Sequence, residues 1–422
     1  MSTAFAQFIG GLIKELLGGT SPPDLPPPPL VTSFPDSVVE PGYVLDAQTD
    51  ALTDAIGNDL ATTEPFKSLP FAVVDLSSRS PAGQLPPPRF AGNLVQEQLQ
   101  VDSMAKIAVM LAAHNLRADL RSLAASGAAS DIVGLAVAHT QLLLTAPEQV
   151  VRDAAKPTTV QDLMPDSSGH RFQTMLGGPE VRHILDLTYD TGGWNVAFKT
   201  SNLTPAKLKQ IYEAQNLATI AGLPFAERMR LMIRYSDNLA AVSCIRDLGF
   251  PYIAALMRQI GLFDIPSQRG LWLALNYGDH TWDTHGTLFA DVPYITNRRQ
   301  SCTASAAAAF MTLLFQRRLL ADVDANVDMR ALLRIDLGGY SSYFRPKTTS
   351  ADVRQPRRDP GTTYYSKVGV VDGFSEVALI ERRVSDTLTL RYVLTALNAK
   401  FEEDLRELAV EVDKRLVALH GP

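Results

Sequence analysis

Cysteine is nearly absent from this chain. Cys244 and Cys302 are the only two among 422 residues, and no metal-ligand spacing links them. Each sits in an apolar, helix-like context, where a free thiol behaves as a small buried hydrophobe. The sequence leaves a disulfide between them open, and with it the redox compartment. Clusters of basic residues are missing too, so the charge pattern points to no nucleic-acid partner. Long apolar runs are lacking, and none approaches the roughly 20 residues that span a bilayer. What remains is 46% hydrophobic with a net charge of −6. That is the composition of a globular chain with material for a large core.

The N-terminus lacks the basic start of an export signal, and Lys14 interrupts its apolar stretch. Phe5, Phe8, Ile9, Leu12, Ile13, Leu16 and Leu17 follow helical spacing instead. Residues 1–17 therefore read as an amphipathic helix that lies on a membrane surface or packs on its own domain. Residues 18–42 contain Pro22, Pro23 and the run Pro26 to Pro29, and should form an extended linker.

The folded region, 43–422, opens with a helix near Tyr43 to Thr62. A strand, Leu69 to Leu76, and a shorter one, Arg89 to Asn93, then pair as a hairpin across a turn-rich stretch. Residues 118–234 read as mostly helical, with a start signal at Thr204-Pro205. Gly270 to Pro293 is an aromatic loop, and a long helix opens at Ser301-Cys302-Thr303-Ala304. Three β-like runs, Tyr364–Val371, Phe374–Arg383 and Leu388–Leu397, are joined by hairpin-length links. A last helix, Phe401 to Leu419, sets Phe401, Leu405, Leu408, Val412 and Leu416 on one face. Strands thus flank a large helical block. The economical architecture is α+β: one antiparallel sheet flanked by the terminal helices, plus an all-helical lobe over about 103–340.

The chemistry concentrates at Val101-Asp102-Ser103-Met104-Ala105-Lys106. Asp102 is a good N-cap type, and Ser103 and Lys106, three apart, share a helix face. A helix start favours an alkoxide or oxyanion. A serine hydroxyl needs a base to become a nucleophile, and a lysine serves if burial or a neighbouring cation lowers its pKa. Two further motifs follow in order: Ser236-Asp237-Asn238 at a helix start, and Lys367-Val368-Gly369 on the first late strand.

Ser-x-x-Lys, Ser-Asp-Asn and Lys-x-Gly in this order resemble the signature of class A β-lactamases and penicillin-binding proteins. Phe71-Ala72-Val73-Val74-Asp75-Leu76 looks like that family's first strand. The resemblance extends over roughly residues 65–420 and implies the β-lactamase/DD-peptidase fold. It implies an acylated nucleophile at Ser103 and a base at Lys106. Ser236 would return a proton to the leaving group, and Asn238 would hold Lys106 and the substrate amide. Lys367 would supply positive charge. Backbone N–H groups of Ser103 and Val370 would form the oxyanion hole. Val368, Gly369, Val370, Trp272 and Asn276 fall at substrate-binding positions.

Two departures stand out. Val368 replaces a hydroxyl that usually takes the carboxylate of a β-lactam or peptide, and Val370 has none either; losing such a bond costs about 1.5–3 kcal/mol. Trp272-Leu273-Ala274-Leu275-Asn276 matches a Glu-x-x-Leu-Asn loop except at the deacylating glutamate, and no glutamate lies between Glu227 and Glu376. Asp279, His280, Asp283 and His285 follow, in a spacing that matches no standard metal pattern. Ser103 and Ser236 are also further apart than in the family, so about 140–215 reads as a helical insertion.

The sequence thus predicts a serine hydrolase acting through an acyl-enzyme on a β-lactam, a peptidoglycan-type amide or an ester. It needs no cofactor or metal and has a small-molecule or peptide substrate. The alternative is a catalytically weak or inactive member that binds a ligand or partner in the same cleft. Resemblance implies the cell envelope or the outside, although no clear export signal is present.

Overall fold

The computed structural model describes residues 52–77, 88–127, 135, 138–139, 181–190, 193–264, 267–273, 276–277, 280–281, 300–335, 342–345, 361–371 and 373–421. The amphipathic helix 1–17, the linker 18–42, the first part of the helix at 43–62, residues 140–180 of the insertion, and Asp279, Asp283 and His285 lie outside them.

The described chain starts with a wide helical turn, Thr53–Asp59. Strands β1 (Phe71–Asp75), β2 (Arg89–Asn93) and β3 (Leu99–Gln100) follow, then helix α1 (Lys106–Ala125). A hairpin, β4 (Leu185–Asp190) and β5 (Gly193–Phe198), leads to α2 (Pro205–Ala214), α3 (Phe225–Arg234), α4 (Asn238–Leu248) and α5 (Phe250–Gln259). After β6 (Trp272–Leu273) and β7 (Gln300–Cys302) come α6 (Ala304–Phe315) and α7 (Val323–Leu333). The chain closes with β8 (Thr362–Val370), β9 (Phe374–Arg383), β10 (Thr389–Ala399) and α8 (Glu402–His420).

The α+β architecture is as expected. One antiparallel sheet has the order β8-β9-β10-β1-β2, so the early hairpin and the late meander share a single sheet. Strand alternation then builds a core on each face. Phe71, Val73, Ala378, Ile380 and Tyr392 pack against Leu405, Leu408, Val412 and Leu416 of α8. Ala72, Val74, Val377, Leu379 and Val393 face the helical lobe. Arg415 reaches back to Asp59 at 2.8 Å, and His420 to Asp75 at 2.8 Å, so the last helix is fastened to elements more than 340 positions earlier.

Start signals behaved as their chemistry dictates. Thr204 caps α2 with Pro205 in its first turn, Asp237 caps α4, and Thr303 caps α6. The stretch 118–234 is less helical than predicted. Residues 185–198 form the β4–β5 hairpin, because Leu185, Leu187 and Tyr189 alternate with Asp186, Thr188 and Asp190 at the period of a strand. Part of the aromatic loop forms strand: Trp272 of β6 pairs with Ser301 of β7, which pairs in turn with β3. Cys244 and Cys302 are buried and free, and burial raises both thiols, that of Cys244 to about 12.

Helix α1 is buried nearly all round, as a helix running through a core must be. It carries Asp119 inside, held by the Asn115 amide at 2.9 Å. Burial pushes this carboxyl from 3.8 up to about 7, against the pull of Asn115. A folded-state pKa above the unfolded one means that stability present at low pH is lost as pH rises between those two values. Asp119→Asn removes the titrating group. It should leave the protein close to wild type at pH 4 and more stable than wild type at pH 8. The gain is bounded by about 1.4 kcal/mol for each pH unit that separates the two pKa values. Urea unfolding midpoints of both proteins across this range check it.

Candidate active site

The nucleophile candidate sits in a short 3₁₀ turn, Asp102–Ala105, that runs straight into α1. Asp102 is not the N-cap that the sequence suggested. Val101 holds that position, and no side chain caps the turn. Asp102 instead adopts a left-handed backbone, φ 40°, and accepts a hydrogen bond from Gln100 Nε2 at 2.9 Å. The tight turn closes through Met104 N to Val101 O at 3.0 Å, and Val101 N donates to Gln300 O of β7 at 2.8 Å. The half-buried Ser103 and the fully buried Lys106 lie on this one turn.

Strand β8 presses on the same turn. A Cβ at Gly369 would lie 2.0 Å from Val101 O and 2.9 Å from Met104 N. Gly369 is therefore required by space. Its place is as a spacer under the turn that carries Ser103.

The second motif faces the first. Ser236 has a left-handed backbone, φ 56°, a conformation that side-chain-bearing residues hold only when their surroundings fix it. Its neighbour Asp237 is anchored on both carboxylate oxygens. Its carboxylate caps α4 through Ala240 N at 2.7 Å and accepts from Gln215 Nε2 at 3.0 Å. Asn238, the first residue of α4, turns Oδ1 toward Lys106 Nζ at 2.8 Å. Lys106 also donates to the Ser236 carbonyl and lies 3.4 Å from Ser236 Oγ. From the other side Lys367 Nζ donates to Ser236 Oγ at 2.7 Å and to Val368 O at 3.0 Å. One hydroxyl is thus held between two lysines.

Two buried ammonium groups so close cannot both stay charged cheaply. Burial, then the charge of Lys367, holds Lys106 well below the ordinary lysine range, while Asp237 and Asp102 pull the other way. Burial lowers Lys367 to about 7, and Glu376 pulls it up. The arrangement provides a buried amine whose proton is held loosely, a hydroxyl shared between two lysines for moving a proton, and a second lysine that titrates near neutral pH.

The structure brings Ser103's turn, Lys106, Ser236, Asn238, Lys367 and Gly369 together. Val370 is half exposed at the end of β8, with Val371 beside it. Val368 is buried and lines a small pocket with Arg234, Arg334, Ser366 and Lys367. Trp272, expected at a substrate-binding position, is 1% exposed and packs on Phe263 with ring centroids 4.5 Å apart, so its indole belongs to the core. The β6–β7 pairing pulls it inward. Asn276 lies on a two-residue strand paired with His280–Thr281, and its side chain is outside the described set. Among the described residues no group of three or more acidic, histidine or cysteine side chains has metal-site geometry.

Sequence reading missed three site neighbours. Arg234 and Arg334 are brought to the pocket only by the fold. Glu376 had a signal: it interrupts the apolar alternation that continues at Ala378 and Ile380.

Residues 206–336 match the sequence model of the β-lactamase enzyme family. This segment contains the Ser-Asp-Asn motif. Solved structures similar to the chain include a class A β-lactamase from Bacteroides cellulosilyticus, at 10% identity over 88% of this chain and all of that one, TM-score 0.44. A β-lactamase from Burkholderia phymatum is 13% identical over 87% and 100% of the two chains, TM-score 0.42. One from Desulfarculus baarsii is 14% identical over 89% and 99%, TM-score 0.43. No curated protein matches the sequence.

Proposed function

For a chain whose residues 206–336 match the β-lactamase enzyme family, we propose a serine hydrolase that acts through an acyl-enzyme on Ser103. The observation that carries this reading is the pair of lysines sharing Ser236 Oγ, with Lys106 buried and held well below the ordinary lysine range. An ordinary lysine has roughly one molecule in 2,500 neutral at pH 7; Lys106 escapes that limit.

In the proposed sequence Ser103 Oγ attacks a carbonyl carbon while Lys106 Nζ takes its proton. The carbonyl oxygen becomes an oxyanion near the N–H groups of Ser103 and Val370. Val371 N donates inward to Gly373 O at 3.2 Å. Successive N–H groups alternate along a strand, so that of Val370 faces the open edge of β8. Collapse of the intermediate breaks the bond to the leaving nitrogen or oxygen. The proton on Lys106 passes through Ser236 Oγ to that atom. Lys367, bonded to Ser236 Oγ, supplies positive charge beside the proton path, which suits an acyl compound with an anionic group. Water then cleaves the ester on Ser103.

That last step is the slow one in this reading. The position expected to carry its base is Trp272, buried in the core. The same feature favours a second reading, a weakly active member that holds a ligand or partner in the cleft. The exposed Val370 and Val371 suit that role.

Intact mass over time, after incubation with a penicillin and separately with a fluorophosphonate, separates the two. The expected result is a lasting adduct that Ser103→Ala abolishes. Rapid loss of the adduct with turnover would show efficient deacylation by another base. Fluorophosphonate labelling alone would mean esterase or peptidase chemistry. No adduct with either probe would leave the binding reading in possession.

A further inference from the structure

Glu376 is fully buried on β9. Its carboxylate accepts from Ser342 Oγ, Ser366 Oγ, Tyr343 N at 2.7 Å and Phe344 N at 3.1 Å. Four donors around one carboxylate favour its ionised form. Among the described residues no cation reaches it at salt-bridge distance. Register pairs Glu376 with Val368, the residue after Lys367, and the hydroxyl that bonds it belongs to Ser366, the residue before. Strand alternation puts Glu376 and Ser366 on one face of β8–β9 and Lys367 on the other. A buried carboxyl and a buried amine therefore lie on opposite faces of the sheet, one register step apart on neighbouring strands.

We infer that Glu376 is a positioning residue for the proton: its charge keeps Lys367 cationic, and cationic Lys367 keeps Lys106 neutral and able to act as base. The inference rests on the acyl-Ser103 reading for its catalytic meaning, but the placement of charge does not. Other charged groups surround the pair. Lys106, with Asp102 and Asp237 behind it, faces Lys367 across Ser236. Arg234 and Arg334 line the pocket beside Lys367. On the opposite face Glu376 meets Ser342, Tyr343 and Ser366. Glu376 raises Lys367 against burial through its charge and without a direct contact. Burial raises Glu376 itself to about 7, and its four donors hold it down. Both groups thus sit near their tipping point at neutral pH, where loss of one charge moves the other most.

Glu376→Gln tests this. The amide oxygen can take the two backbone N–H groups and its NH₂ can donate to the two hydroxyls, so all four contacts survive without the charge. Lysine labelled with ¹³C at Cε is titrated by NMR in wild type and variant, the Lys367 signal being assigned by its loss in Lys367→Arg. The expected result is a Lys367 midpoint lower by roughly one pH unit or more, the size of a unit charge at short range in a protein interior. Ser103 acylation, followed in parallel, should show a bell narrowed from both sides. Its alkaline limb falls with Lys367, and its acid limb rises because Lys106 regains a proton more easily. An unmoved Lys367 midpoint in folded E376Q overturns the inference, even if acylation weakens, since a purely structural carboxylate would act that way. If wild type is not acylated by any probe, the proposed function fails while the NMR midpoint still decides this point. Should E376Q not fold, Ser366→Ala removes one donor and leaves the charge less stabilised. It must then shift Lys367 in the same direction by a smaller step, and no shift overturns the inference.

Discussion

Lys106→Met should slow acylation of Ser103 by about 10²- to 10⁴-fold, the usual share of a general base. Methionine keeps the length and apolar stem of the buried lysine but cannot take a proton. Lys106 is fully buried and held by Ser236 O and Asn238 Oδ1, so no other described side chain takes its place. The measurement is the rate of adduct formation by intact mass, with the fold checked by far-UV circular dichroism. The pH dependence gives a second check. Since burial and Lys367 lower Lys106, wild-type acylation should persist at pH values where an ordinary lysine is protonated, and decline only as pH falls far enough to charge it. The variant's residual rate should lack that acid limb. A variant within a factor of about three of wild type, well short of the general-base range, would remove Lys106 from the mechanism.

Gly369→Ala should damage both stability and the site, although it adds a single methyl. The added carbon would meet a backbone carbonyl at 2.0 Å, and backbone does not rotate away as a side-chain tip can. Either β8 leaves the turn or the turn leaves its place. Inserting a methyl into a packed site costs about 1–3 kcal/mol, and a displacement of about 1 Å at a reacting atom costs about a hundredfold in rate. We expect both: a urea midpoint lowered by that range and labelling of Ser103 reduced about a hundredfold or more. Unchanged labelling with unchanged stability would mean that β8 and the nucleophile turn are not packed as described.

Much of this was readable from residue order. The sheet was legible because both hairpin and meander alternate in register with their turn signals. The three motifs were legible because each occupies an element boundary: a turn into α1, the start of α4, the edge of β8. Helix starts at Thr204, Asp237 and Thr303 were legible because capping is local chemistry. What escaped was set by distant partners. Asp102 looked like a cap, but the turn is drawn tight by β7 and β8, and its backbone went left-handed. Trp272 looked like a cleft residue, but pairing with Ser301 carried it into the core. The hairpin at 185–198 was overlooked inside an apolar region, although its residues do alternate. Glu376 has meaning only once β8 and β9 are in register.

The sheet's pairing also sets an order of assembly. β1 joins β10 across more than 300 intervening positions, Phe71 against Ala396, and that separation makes loop closure slow. Emerging from the ribosome, the nucleophile turn and the Ser-Asp-Asn motif precede the strand that supplies Lys367 and Gly369. Until β8 to β10 are synthesised, Ser236 Oγ lacks its second lysine and the turn has no floor. The chain therefore carries Ser103 for most of translation in an unassembled state, and the site is complete only with the last strands.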